Sequence, residues 1–286
     1  MSSRVVTCTA TEAAIETTVR LINPVDGQPL LTARQLTAVS RFSPRIEILV
    51  SFEEIRQGLS GNPWMTYVAS RFAWDNESAA VTRSVLGQAA GFRAERFESP
   101  DYIEVADQDQ RLLIIPHGRP YHRRSGPRML DSLLLTEGET SRSFRFTLEF
   151  DQAWPQQSVQ DLLLPPAALI PQTNAISPST TSAWLLGLSA RNVMLVSTAD
   201  QNIRSELIMA GPSAPDAPSP SCSITLTLLE TEMRACECLV RTARKPLRAW
   251  LLRSINGPAQ ELPANAEGVS VPFNSGQLLT LILQFR

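Results

Sequence analysis

The sequence has few of the residues from which metal and catalytic sites are built. It contains two histidines, His117 and His122, and four cysteines among 286 residues. A zinc site needs about three or four Cys, His, Asp or Glu ligands. Cys236 and Cys238 would point the same way from one strand, and no second pair of ligands accompanies them. The alternative is that they are two small buried residues on one face of a strand. We predict no metal ligand and no cofactor in this chain.

Motifs of the common catalytic classes are absent too. The sequence has no Gly-x-Ser-x-Gly elbow and no glycine-rich phosphate loop. Glycoside hydrolysis needs two carboxylates about 5–10 Å apart. Pairs such as Glu137 and Glu139 exist, but acidic pairs are common in solvated turns. We predict no catalytic residue, and we expect the chain to be inactive on its own.

Charge and hydropathy exclude further classes of partner. Charged residues make up 19% of the chain and the net charge is −2, so counterion release would not draw in a nucleic acid. Arg123 and Arg124 are the only adjacent arginines. No apolar stretch approaches the roughly 18 residues of a membrane helix, and the first residues lack a signal-peptide core. We expect a cytoplasmic protein with no membrane contact.

Alternation of apolar and polar residues is the dominant pattern, and it predicts strands. It occurs in residues 45–52, 143–150, 224–228 and 279–285, and turn signals separate such runs. Many short strands at this spacing favour an all-β antiparallel sandwich with a smaller C-terminal β domain. Two proline-rich stretches, residues 165–182 and 211–221, resemble linkers, so we divide the chain into 1–165 and 166–286. Short helices are predicted only at residues 12–17 and 158–164.

Residues 117–131 are the densest group of polar side chains, and their glycines and prolines predict a loop. Arginine forks suit hydroxyls and carboxylates, and loops often carry function. The alternative is a solvated turn whose arginines pair with nearby acids. The five tryptophans are either sugar-stacking platforms or core residues. The candidate carbohydrate-binding residues are Tyr121, His122, Arg123, Arg124, Arg128 and Asp131.

Several short motifs together resemble one known family. Residues 61–67 read Gly-Asn-Pro-Trp-Met-Thr-Tyr, and residues 121–124 and 128–134 read Tyr-His-Arg-Arg and Arg-Met-Leu-Asp-Ser-Leu-Leu. With residues 70–74, 137–139, 228–232 and 276–281, they resemble the family 38 glycoside hydrolases, the α-mannosidase family. The order and spacing of the motifs agree over residues 36–285. The similar region is the large β-sandwich, or supersandwich, that follows the catalytic domain.

The resemblance implies a supporting role. In that family the zinc, its aspartate and histidine ligands, and the carboxylate nucleophile belong to an N-terminal β/α domain, and nothing here matches that domain. We therefore expect either a C-terminal region or a stand-alone relative without the catalytic half. Its expected partners are carbohydrate and either the missing catalytic domain or a second copy. An independent carbohydrate-binding module is one alternative, and a self-sufficient glycosidase of unexpected design is another. In the supporting role, the resemblance implies that the segment with His122, Arg123 and Arg124 reaches toward the sugar site.

Overall fold

The computed structural model describes residues 1–23, 26–55, 59–164, 184–200, 222–254 and 257–285. By its internal contacts the chain forms two compact units, Met1–Leu163 and Leu164–Arg286. The stretches expected to be linkers, residues 165–182 and 211–221, lie outside the described residues.

The first unit contains two antiparallel sheets and one helix. The strands are β1 Ser2–Cys8, β2 Glu12–Ile22, β3 Pro29–Ser40, β4 Arg45–Ile55, β5 Val68–Ala73, β6 Ala80–Val85, β7 Gln88–Gly91, β8 Arg96–Glu98, β9 Ile103–Ala106, β10 Arg111–Ile115, β11 Tyr121–Gly126, β12 Met129–Leu135 and β13 Ser143–Phe150, and the helix is α1 Pro155–Leu163. The larger sheet has nine strands in the order β1-β2-β3-β4-β13-β10-β9-β6-β7. The smaller has four, in the order β5-β12-β11-β8.

The apolar faces of these two sheets form one core. Phe144 and Phe146 alternate with polar residues on β13, so both enter the core, while Leu130 and Phe97 enter it from the smaller sheet. The ring centroids of Phe72 and Phe146, one from each sheet, lie 5.3 Å apart. Full burial of such a side chain contributes about 1.5–3 kcal/mol. Alternating residues on both sheets therefore stabilise a sandwich.

Helix α1 covers part of the other face of the larger sheet. Val159 packs with Tyr102, Leu113 and Ile115, which alternate with the core residues of β9 and β10. Pro155 occupies the first helical position, where a missing N–H costs nothing. The helix predicted at residues 158–164 is thus present and begins earlier. The helix predicted at residues 12–17 is wrong, because these residues belong to β2, which pairs with both β1 and β3.

The second unit is a smaller sandwich. Its strands are β14 Leu186–Leu188, β15 Val193–Asp200, β16 Cys222–Glu230, β17 Cys236–Thr242, β18 Arg248–Leu252, β19 Gln260–Leu262, β20 Val269–Phe273 and β21 Leu278–Phe285. They form a three-stranded sheet, β14-β17-β20, and a five-stranded sheet, β15-β16-β21-β18-β19. The predicted apolar face of residues 279–285 is buried between them: Leu279, Leu281 and Leu283 pack with Val240 and Val271.

The predicted all-β class is confirmed. Every strand pairing in the described part of the chain is antiparallel. Among the described residues no helix has the length and apolar character needed to cross a membrane.

Candidate functional site

The segment predicted to be a loop, residues 117–131, is mostly a β-hairpin. A tight turn precedes it: His117 and Gly118 have φ values of 45° and 83°, and Arg119 N donates to Pro116 O at 3.1 Å. The chain then forms β11 and β12, which pair with each other and with β8 and β5. Pairing on both sides of the hairpin satisfies its backbone groups, and this outweighs the local glycine and proline signals.

The hairpin's side chains point to two different faces of the four-stranded sheet. Arg123 lies opposite Asp131, and His122 lies opposite Ser132. Because successive residues of a strand alternate, Tyr121, Arg123 and Asp131 share the face turned away from the core, called here the outer face. His122 points the other way, into the sandwich. The strand period therefore separates residues that the sequence lists side by side.

His122 is fully buried and serves as an internal hydrogen-bonding group. Its Nε2 donates to Ser99 O at 3.1 Å, which leaves Nδ1 to accept from Ser132 Oγ at 2.9 Å; this tautomer is assigned from the partners. The ring also packs on Phe97, with centroids 5.4 Å apart. Burial lowers its pKa to about 4, so the ring is neutral at pH 7. In this structure His122 does not reach the outer face.

Asp131 is the centre of a hydrogen-bonded network on the outer face. Its side chain is 1% exposed, and its two oxygens accept from Arg71 Nε at 2.7 Å and from an Arg71 terminal nitrogen at 2.9 Å. Tyr67 donates its hydroxyl at 2.9 Å. Burial alone would raise the pKa of Asp131, but the hydrogen bonds from Arg71 and Tyr67 outweigh it and lower the pKa. The carboxylate is held ionised and engaged, which leaves it unsuited to acid–base chemistry.

Arg123 attaches the loop of residues 61–67, called here the Trp64 loop, to the same sheet. Its guanidinium donates to Trp64 O at 3.0 Å and pairs with Glu95 at 2.7 Å. Tyr67, at the end of the loop, is bound by Asp131. Glu137 accepts from Gly61 N at 3.1 Å at its start. The loop is therefore fixed at both ends and in its middle.

The Trp64 loop brings an aromatic ring against the hairpin. The ring centroids of Trp64 and Tyr121 lie 6.0 Å apart with an interplanar angle of 88°, so the two rings form a corner. Arg96, on β8, places its guanidinium carbon 5.9 Å from the Trp64 ring centroid. Tyr121 is 50% exposed. We define Trp64, Tyr121 and Arg96 as the aromatic corner.

The two remaining candidates lie at the turn of the hairpin, where they bind backbone. Arg124 donates to Pro127 O at 3.3 Å, and Arg128 donates to Asp75 O at 2.8 Å. Arg128 also lines an open cleft of about 410 Å³ together with Trp74, Asp75 and Glu77. The six candidates are thus divided among the outer face, the core and the hairpin turn.

In the sequence, Trp64 is one of five tryptophans and part of the motif at residues 61–67, and no pattern there points to Arg96. The remaining tryptophans differ in burial: Trp250 is a core residue and Trp184 is exposed. Residues 61–67, 121–124 and 128–134 all carried the family resemblance, which was a signal that these segments belong together. Arg96 had no such signal, because only the pairing of β8 with β11 brings it beside Trp64.

No cluster of three or more His, Cys, Asp or Glu side chains able to hold a metal is found in the described part of the chain. Cys236 and Cys238 both lie on β17, where Cys238 belongs to the core of the second unit. Burial raises the pKa of the Cys236 thiol, which disfavours the thiolate that a metal requires.

Solved structures of other proteins have a similar architecture. The chain matches no protein-family model and no curated protein. It does match solved structures, among them an alpha-mannosidase from Enterococcus faecalis V583, with a TM-score of 0.65 and 10% sequence identity. The match covers 100% of this chain and 35% of that chain. A glycosyl hydrolase family 38 protein from Enterococcus faecalis gives a TM-score of 0.64 at 9% identity, covering 100% and 36%.

The chain has the fold of a region of family 38 glycoside hydrolases. The resemblance seen in the short sequence motifs is thereby confirmed at the level of the fold. The chain spans about a third of the length of these two solved chains.

Proposed function

We propose that this chain is a non-catalytic β-sandwich region of an α-mannosidase-like glycoside hydrolase, which supports a catalytic domain and binds carbohydrate. The observation that carries the proposal is the fold match, which covers all of this chain and about a third of an α-mannosidase chain. The outer face adds the second half of the proposal. Its aromatic rings and arginine donors are the groups with which proteins bind sugar rings and hydroxyls.

An exposed apolar surface of the larger sheet supports the proposed role as a partner of a catalytic domain. Val5, Ile15 and Val39 lie on neighbouring strands and share the face that forms the core farther along the sheet. They are 65%, 49% and 42% exposed. A contiguous exposed apolar face is typical of a contact surface. We assign this surface to the catalytic domain, because the structurally similar chains are about three times as long.

The apolar surface is tested by sedimentation velocity on the purified chain. Without its partner the surface should drive self-association at high concentration, and Val5→Asp with Ile15→Asp should abolish it. Thr18→Asp is the matched control, since Thr18 lies on the opposite face of β2 from Ile15 and Thr17. A wild-type chain that stays monomeric at high concentration would contradict the assignment.

The carbohydrate half is tested by titrating the chain with α-linked mannotriose. We expect saturable quenching of tryptophan fluorescence and no hydrolysis of an aryl α-mannoside by the same preparation. Hydrolysis that a chelator abolishes would overturn the non-catalytic assignment. The absence of any binding would overturn the carbohydrate assignment.

An independent carbohydrate-binding module is the second candidate. It is favoured by one observation: the aromatic corner and the residues that hold it all come from this chain. Saturable mannotriose binding by a strictly monomeric chain would favour this candidate over the supporting role.

A further inference from the structure

We propose that the aromatic corner is the contact site for a neutral oligosaccharide, and that Arg123 and Asp131 are positioning residues that hold the Trp64 loop in place. This inference rests on the proposed carbohydrate-binding function and deepens it. It differs from the expectation drawn from sequence, because it adds Trp64 and Arg96, removes His122 from the contact surface and gives Arg123 and Asp131 an indirect role.

The corner offers both of the surfaces that a sugar ring requires. Trp64 and Tyr121 meet at 88°, so a pyranose can lay its C–H face on one ring while its edge rests on the other. Arg96 is exposed, and none of the ion pairs among the described residues includes it. Within the described part of the chain its side-chain hydrogen bond is a weak one, to Met65 Sδ at 3.9 Å. Its N–H groups are therefore available to ligand hydroxyls.

Charge balance on the outer face favours a neutral ligand. Arg71 pairs with Asp131, and Arg123 pairs with Glu95. On the four strands themselves, the other charged side chains of the outer face are Arg96 and Glu98, which lie two positions apart on β8. These formal charges cancel, so no net field attracts an anion. The Arg96 guanidinium near the Trp64 ring also repels a cation from the position where an aromatic cage would hold it.

The corner is fixed before any ligand arrives. Trp64 sits in a short loop whose carbonyl at Trp64 is bound by Arg123 and whose final residue, Tyr67, is bound by Asp131. Within the loop, Trp64 N donates to Asn62 Oδ1 at 2.9 Å. A ring already held in its binding orientation loses little conformational entropy when the ligand binds. This gives Arg123 and Asp131 a role in affinity without any contact to the sugar.

The contact residues are tested by isothermal titration calorimetry with α-linked mannotriose. Trp64→Ala and Tyr121→Ala should each weaken binding by at least about tenfold, as expected for aromatic residues at the centre of a binding site. Arg96→Gln should weaken it by about three- to tenfold, the loss of one charged hydrogen-bond donor. Trp184→Ala is the matched control, because Trp184 is 59% exposed in the other unit. Far-UV circular dichroism and urea unfolding check that each variant is folded.

Arg123 needs a readout beyond affinity. Arg123→Ala should weaken mannotriose binding and remove the near-UV dichroism that arises from the Trp64–Tyr121 contact. Arg123→Lys should restore part of both, since an ammonium can still donate to Trp64 O. A loss of affinity with unchanged near-UV dichroism would overturn the positioning role.

The outcomes separate this inference from the function on which it rests. Wild-type binding that Trp64→Ala and Tyr121→Ala leave within twofold would overturn the aromatic corner and leave the proposed function standing. No binding by the wild type would overturn the carbohydrate function, and the corner with it. Binding that both variants weaken, with Trp184→Ala unchanged, supports both.

Discussion

Arg71 and Asp131 form a two-pronged ion pair between neighbouring strands, in which the carboxylate is 1% exposed and the guanidinium side chain is 56% exposed. The pair is asymmetric: the acid is buried by the sheet and by Tyr67, while the base stays in contact with water. Removing Arg71 leaves the buried carboxylate of Asp131 without its partner, whereas removing Asp131 leaves Arg71 as a solvated cation. The two substitutions should therefore differ in their cost.

Arg71→Ala should lower the free energy of unfolding by about 2–3 kcal/mol, because Asp131 loses two charged hydrogen bonds where water cannot replace them. Asp131→Asn should cost less, about 1–2 kcal/mol, since an amide can still accept from Tyr67. Urea unfolding at pH 7 measures both. Arg4→Ala is the control: the carboxylate of its partner Glu16 is 19% exposed rather than 1%, so water can replace the lost bond, and the pair should contribute less than about 1 kcal/mol. Equal costs for Arg71→Ala and Arg4→Ala would contradict the role of burial.

The Asp131 pair should also make the fold sensitive to acid. The pKa of Asp131 is lower in the folded chain than its ordinary value, because the bonds from Arg71 and Tyr67 outweigh the effect of burial. The stability that the ionised Asp131 contributes is fully present above the ordinary pKa of an aspartate. It is lost as the pH falls through the lower pKa of Asp131 in the folded chain. We expect Asp131→Asn to flatten the decline in stability below about pH 4. An unchanged acid profile in this variant would show that the pair does not stabilise the folded chain.

His122 should give stability a second dependence on pH, in a different range. Its folded pKa of about 4 lies below the ordinary 6.5, so the unfolded chain binds the proton first. Stability should fall by about 3 kcal/mol as the pH is lowered from 6.5 to 4. His122→Gln, which keeps a donor and an acceptor but does not titrate, should remove this component. His117→Gln is the control and should retain it; a steep profile in His122→Gln would count against the assignment.

Glu230 should be essential to the second unit. This fully buried carboxylate accepts from Asn192 Nδ2 at 2.9 Å, Arg234 N at 3.1 Å and Gly276 N at 2.7 Å, and so joins three loops. Glu230→Gln turns an amide donor toward these N–H groups. It should lower the free energy of unfolding by about 2–4 kcal/mol. Hydrogen exchange of β16 and β21 amides measures the loss. Glu261→Gln, on an exposed side chain, should leave exchange unchanged.

Gly268 should tolerate no side chain. Its φ is 138°, and an added Cβ would lie 2.4 Å from Val240 O on the paired strand. Gly268→Ala should therefore lower the free energy of unfolding by about 2 kcal/mol or more, through strain and displacement of β17 from β20. Gly91→Ala, where no atom lies within 4 Å, should leave stability unchanged or slightly raise it. Calorimetry on both variants makes the comparison, and equal melting profiles would refute it.

Sequence patterns predicted the strands well where one face is buried and the other is wet. Residues 143–150 are β13 to the residue, because alternating phenylalanines can bury one face only in an extended chain. The helix prediction at residues 12–17 was wrong because the local sequence does not show which strands the segment pairs with. Glu12, Ala13, Ala14 and Glu16 favour a helix locally, but hydrogen bonds to β1 and β3 come from residues that the local pattern does not contain. Propensity is a weak signal when such pairing competes with it.

The sequence could predict which segment contains the candidate site, but not how its side chains are arranged. The sequence drew attention to residues 117–131 because arginines and histidines are dense there, and it noted Trp64 separately. It could not show that His122 and Arg123 face opposite sides of a sheet, since that depends on the strand being formed. Nor could it bring Arg123 to Trp64, which lies 59 positions away.

The sequence by itself determined the class of this protein: alternating apolar residues require half-buried strands, and burying those faces requires two packed sheets. It also carried the short motifs that resemble the α-mannosidase family. Only the tertiary structure decided which side chains meet. The Trp64 loop, β8 and the β11–β12 hairpin are distant in sequence. The register of strand pairing brings Tyr121 and Arg96 together and buries His122, and the hydrogen bonds from Arg123 and Asp131 hold Trp64 beside them.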